Sequence, residues 1–180
     1  MNNDKRSILV RLIALVAALA FVPASPSLAQ ENPPPQPIDL PCATNAFAQV
    51  LGMTPVNDGA QNLVLARIIF GEGGSILDHT HPGTLVVTIE SGSLGFTLLD
   101  DAEMSANRVA TAETDATAVP LPPGEEVALE PGDWFIETGM VHTGVNVAAG
   151  ETTVLLTGLI EAGQPLTICV DGATPVSHSG

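Results

Sequence analysis

A chain of 180 residues is long enough to bury one core and too short for two catalytic domains. Its 20 acidic residues stand against five lysines and arginines, a formal charge of −15, which repels phosphate backbones and anionic lipid surfaces. Nucleic acid is thereby excluded as a partner.

Lys5, Arg6 and Arg11 give the chain a positive start, an apolar stretch follows from Leu12 to Val22, and Pro23 breaks it. Ser27-Leu28-Ala29 places small residues where a signal peptidase reads, which predicts a signal peptide over residues 1–29 cleaved after Ala29. The apolar run falls well below the roughly 20 residues needed to span a bilayer. The mature protein is then secreted or periplasmic and free of the membrane. Cleavage removes the only lysine and leaves Arg67 and Arg108 as the strong bases against 19 carboxylates, a charge near −17.

Gln30 to Pro41 holds five prolines and little periodicity, so it reads as an extended leader, with order beginning near Cys42. One folded domain is expected over residues 42–175, with a flexible tail over 176–180. Ala43 to Gly52 reads as a short helix or an irregular edge. Beyond it no helix-length run has apolar residues at 3.6 spacing. Short β-branched stretches instead recur between glycines, prolines and aspartates. The predicted strands are Leu63–Phe70, Ser75–His79, Leu85–Glu90, Ser93–Leu99, Asn107–Thr111, Glu125–Leu129, Asp133–Glu137, His142–Ala148 and Thr152–Glu161. This many short strands predicts an all-β sandwich or barrel. Thr111 to Gly124, rich in Ala, Thr and Pro, reads as a surface loop between two halves of it. Leu85, Val87 and Ile89 share one strand face and would make the interior apolar. Trp134, Phe96 and Phe135 read as core. Cys42 and Cys169 lie near the two ends of the mature chain, and export through an oxidising compartment favours a disulfide between them.

His79 and His81 are separated by one residue on a predicted strand, so they point the same way. His142 opens another strand far along the chain. Two imidazoles on one strand and a third on another form a sensible ligand set for one divalent transition metal (Fe, Zn, Mn, Cu or Ni), with positions left for water or substrate. Glu137 is separated from His142 by a turn and reads as a solvated turn carboxylate. Asp78 points away from its neighbour His79, Glu90 lies at the far end of its strand, and terminal His178 has no role.

The spacing around these histidines resembles the cupin family. Gly73, five residues, His79, one residue, His81, three residues, Leu85, six residues and Gly92 follow its first motif. Gly132, then Gly139, two residues, His142, three residues and Asn146 follow its second, and together they span about Leu63 to Glu161. The resemblance implies a double-stranded β-helix, or jelly-roll barrel, with a metal held by His79, His81 and His142 at its interior end. It leaves open a homodimer through barrel edges. Two departures stand out: Leu85 occupies the place of the family's usual glutamate ligand, and Glu137 the place of its proline, with the preceding glycine spacing one residue shorter. Losing that glutamate leaves three neutral imidazoles, as in the three-histidine members such as thiol dioxygenases.

Three functions follow. One is an exported metalloenzyme, dioxygenase-like, acting on a small organic molecule. The second is a binding protein or sensor holding a small ligand at the metal without turnover. The third is a degenerate structural cupin without metal, for which Leu85 is the main support.

Overall fold

The computed structural model describes residues 37–112 and 115–170. The signal peptide over 1–29, most of the leader and the tail over 176–180 lie outside the described residues.

Twelve strands follow one another: β1 (Pro37–Asp39), β2 (Ala43–Val56), β3 (Gln61–Thr80), β4 (Gly83–Ser91), β5 (Leu94–Leu98), β6 (Ser105–Arg108), β7 (Thr117–Pro120), β8 (Glu126–Leu129), β9 (Trp134–Glu137), β10 (His142–Asn146), β11 (Thr152–Glu161) and β12 (Ile168–Cys169). A single 3-10 turn, Asn57–Gly59, joins β2 to β3.

The ladders sort the eight central segments into two layers. The first half of β3 pairs with β11, β11 with β4, and β4 with β9. The second half of β3 pairs with β10, β10 with β5, and β5 with β8. All pairings are antiparallel, and the chain changes layer at each step except from β5 to β8, across the inserted β6–β7 hairpin. That is the winding of a double-stranded β-helix, as the motif spacing implied.

β3 serves both layers because it turns at Gly71-Glu72-Gly73-Gly74. Gly73 takes a φ of +68°, a left-handed conformation that favours glycine. Asn45 packs so closely here that a Cβ on Gly71 would lie 2.4 Å from its side chain, and one on Gly74 would lie 2.5 Å from its carbonyl oxygen. Asn146, at the end of β10, secures the same corner. Its Nδ2 donates to the carbonyls of Gly71 (2.7 Å) and Gly150 (2.6 Å), and its Oδ1 accepts from Ala148 N–H and from the Thr152 hydroxyl.

Strand parity places the core. Val64, Ala66, Ile68 and Phe70 of β3, Leu85, Val87 and Ile89 of β4, and Val154 and Leu156 of β11 are buried on one layer. Ile76, Leu94, Phe96 and Leu98 answer from the other. Phe96 and Phe135 join the layers with ring centroids 4.9 Å apart. The apolar face expected for Leu85, Val87 and Ile89 is therefore present.

Several expectations are revised. Trp134 alternates with buried Phe135 and is only half-buried, its backbone opposite Asn107 of β6. The supposed loop over Thr111–Gly124 contains β7, which pairs with β6, and Leu121 beyond it is buried. Ala43–Gly52 is an irregular edge and not a helix: β2 bulges between Thr44 and Ala46 and between Val50 and Gly52. Within the leader, Pro37–Asp39 already pairs with Phe47–Gln49, and Leu40 is buried. The two arginines of the body are both engaged, Arg67 with Glu90 and Arg108 with the buried Asp133.

Cys42 and Cys169 form a disulfide with Cα atoms 5.8 Å apart, closing a separation of 127 residues. It fastens β12, which pairs with Thr80 and His79, to the start of β2. In the chain-entropy account a loop of this length restrains the unfolded state by about 5 kcal/mol. Replacing both cysteines with serine is expected to lower the melting temperature by well over 10 °C, and a reductant should do the same to the unaltered protein in a thermal melt.

Candidate metal centre

The second half of β3 carries His79, with His81 one residue beyond the strand end, and alternation buries both while Thr80 between them is less buried. His142 opens β10 as the direct Cα partner of His79. The three predicted residues thus meet: all are buried, and their potential ligand atoms lie within 4.8 Å of one another. The ring of His142 stacks on Phe96 with centroids 5.0 Å apart.

Each imidazole is oriented by a backbone carbonyl. Nδ1 of His79 lies 2.7 Å from the Leu77 oxygen, Nδ1 of His81 2.6 Å from that of Leu166, and Nδ1 of His142 3.2 Å from that of Met140. A carbonyl oxygen carries no proton, so each Nδ1 must be the donor. Burial keeps the rings neutral. It lowers His79 to about 3, helped by neighbouring His81, lowers His81, and holds His142 well below the ordinary imidazole value. A neutral ring protonated on Nδ1 presents a lone pair at Nε2, and this is the form in which histidine binds a metal.

Glu137 overturns its reading as a solvated turn carboxylate. It is the last residue of β9, two positions from buried Phe135, and is 2% exposed. Its Oε1 lies 3.2 Å from His81 Nε2 and its Oε2 3.4 Å from His142 Nε2. These contacts are not ion pairs, because burial lifts the carboxyl to about 8 while it holds the imidazoles neutral. Oε2 is buried without a hydrogen-bond partner. The parity of the predicted strand Asp133–Glu137 already carried this signal, since a core Phe135 turns Glu137 inward as well. Of the other residues weighed from the sequence, Glu90 is held by Arg67, its Oε2 2.6 Å from Nε, and His178 lies outside the described residues.

These four side chains line a largely apolar cavity of about 40 Å³ together with Phe70, Ile76, Val87, Phe96 and Phe135. A second, larger cavity of about 270 Å³, lined by Leu40, Val50, Val64, Ile160 and Leu166, shares Thr167 with the first.

No family model and no curated protein matches the sequence. Solved structures do match. The chain is similar to the polyketide cyclase RemF from Streptomyces resistomycificus, at 19% identity over 77% of this chain and 83% of that one, with a TM-score of 0.51. A cupin 2 domain-containing protein from Halorhodospira halophila matches at 18% identity over 71% of this chain and 72% of that one, with a TM-score of 0.45. The fold is the cupin fold. In this cupin barrel the donor set fits a divalent transition metal on its own chemistry: three neutral imidazoles offer convergent lone pairs, and a buried carboxyl oxygen beside them lacks a partner.

The same burial gives the metal-free protein a stability maximum in pH. Unfolded histidines take up protons below about 6.5, but the buried rings do not, so their lowered values contribute stability that is lost on acidification. The raised Glu137 acts oppositely: its contribution is lost as pH rises toward 8. Three imidazoles outweigh one carboxyl on the acid side. Melting temperatures in the presence of chelator should therefore peak near pH 6.5 and fall on both sides, most steeply toward pH 5.

Proposed function

We propose that this chain is an exported metalloprotein that binds one divalent transition metal through His79, His81 and His142, and that presents a small organic molecule to it in the barrel. The observation that carries the reading is the common arrangement of the three rings: each Nδ1 is bonded to a carbonyl, which leaves each Nε2 free, and ligand atoms of the three buried rings lie within 4.8 Å of one another. Without a cation the buried Glu137 Oε2 beside them has no partner, which costs on the order of 1–3 kcal/mol. When bound, the ion would supply a Lewis-acid and, if it is iron, manganese or copper, a redox-capable centre. The chain's residues contribute orientation through Leu77, Leu166 and Met140, and exclusion of bulk water through Phe70, Phe96 and Phe135. Export is supported by the disulfide and by the positive, apolar, small-residue order of the first 29 positions. Among the described residues no helix is long and apolar enough to cross a membrane.

Dioxygenase-like chemistry on a small substrate is the catalytic form of this proposal. The non-catalytic form, a binder or sensor, is favoured by the lining, in which the only proton-carrying side chains besides the three imidazoles are Glu137 and Thr167.

Elemental analysis of the purified protein tests the core of it. About one transition metal per chain is expected, and less than a tenth of that in the His79→Ala/His81→Ala double variant. An unaltered protein that takes up no metal after incubation with Fe(II), Zn(II), Mn(II), Cu(II) and Ni(II) would remove the proposal. Oxygen consumption by the loaded protein across thiols, diketones and phenols then divides the two forms: uptake with any of them makes it an enzyme, and none makes it a binder.

A further inference from the structure

Leu85, at the place where the family pattern puts a glutamate ligand, is fully buried, and its direct Cα partner across the β4–β9 ladder is Glu137. Facing positions on adjacent antiparallel strands hold their Cβ atoms about 4.5–5.5 Å apart, so carboxylates at either position can reach the same centre. Val87 pairs with Phe135 in the same register, and both line the cavity, so this ladder turns positions 85, 87, 135 and 137 to one face.

We propose that Glu137 is the anionic ligand of the metal ion, its carboxylate transposed from the strand position now held by Leu85 to the facing position on β9. The centre then has three imidazoles and one carboxylate, and not three imidazoles alone. This deepens the metal-binding reading above and rests on it.

Geometry supports the assignment. Two ligands of one ion at bond lengths of about 2.1 Å stand roughly 3.0–3.4 Å apart at octahedral or tetrahedral angles. The Glu137 oxygens lie 3.2 Å and 3.4 Å from the Nε2 atoms of His81 and His142. Both Nε2 atoms present lone pairs, since their Nδ1 protons are given to Leu166 and Met140. Oxygen and nitrogen lone pairs facing each other at that distance do not attract. One proton on the carboxyl can bridge to one ring and no further, which leaves Oε2 alone. A cation between Glu137, His81 and His142 would satisfy these three groups together. The ligand charge also changes: with three imidazoles the ion keeps its full dipositive charge, whereas with Glu137 the centre carries +1, and an oxygen donor favours the harder ions.

The test compares the unaltered full chain with Glu137→Gln, Glu137→Leu and the exchange variant Leu85→Glu/Glu137→Leu. Affinities for Zn(II) and Mn(II) are measured by chelator competition, and the visible spectrum of the Co(II) form is recorded. Circular dichroism of each metal-free variant reports folding, and Glu137→Leu serves as the second single variant. Loss of a carboxylate ligand is expected to weaken binding by about 100-fold or more, with Mn(II) losing more than Zn(II), and to change the Co(II) spectrum. The exchange variant is expected to recover at least a tenth of the original affinity. If folded Glu137→Gln and Glu137→Leu bind both ions as tightly as the unaltered chain, with an unchanged Co(II) spectrum, Glu137 is not a ligand and the three-histidine reading stands without it. If the unaltered chain binds no metal, both readings fall.

Discussion

Three imidazoles with ligand atoms within 4.8 Å of one another, and a carboxyl group 3.2–3.4 Å from two of them, are buried in an otherwise apolar barrel, and that burial governs the rest of the site. A polar group taken out of water without a partner costs on the order of 1–3 kcal/mol, and a charge costs far more, so every member must be neutral, hydrogen-bonded or bound to a cation. The chain satisfies one nitrogen of each ring with a backbone carbonyl and leaves the other free. Because the satisfied nitrogen is Nδ1 in all three, the tautomers are set together. The buried carboxyl oxygen beside the rings is left without a partner.

The fold meets this demand with few elements. One 20-residue strand, β3, changes layer at Gly73 and so brings His79 and His81 to the second layer, where β10 places His142 directly opposite. Glu137 arrives from the first layer at the end of β9. The cluster of buried polar groups therefore draws on both layers, as does the Phe96–Phe135 contact. The C-terminal segment closes the arrangement: Leu166 orients His81, and three residues on, Cys169 is bonded to Cys42. The disulfide thus limits movement of a segment that holds a proposed ligand in place, which joins oxidative folding to the geometry of the centre.

Much of this was legible in the residues. The β3 to β5 and β8 to β11 strands follow from alternation between glycine and proline turns, and their predicted bounds fall within a few residues of the observed ones. The histidines were legible because the spacing of His79 and His81 fixes their common face. β7 was missed because its Ala-Thr-Pro composition is that of a loop, and its pairing depends on β6, a partner that local pattern cannot supply. Trp134 was misplaced because large aromatic character was given more weight than its alternation with Phe135. Glu137 is not legible relative to His142, because a turn separates them and parity fails there, but it is legible along its own strand, where parity with Phe135 holds. The Leu85–Glu137 pairing itself needs the ladder register, which depends on long-range contacts.

The departure at Leu85 takes a different meaning once the ladder is known. Taken alone, an apolar side chain in place of an anionic ligand suggests a barrel that has lost its metal. A barrel drifting from metal binding would be expected to lose the strain of buried polar groups along with the ligand, since replacing a buried carboxyl with a hydrophobic residue of similar volume is often neutral or stabilising. Here the facing residue is a buried glutamate, two of the three imidazoles lie 3.2–3.4 Å from its oxygens, and all three rings keep their orienting carbonyls. A buried glutamate facing that leucine offers an anionic group from the neighbouring strand, and under the proposed ligation the charge that reaches a bound ligand would be set by β9 and not by β4.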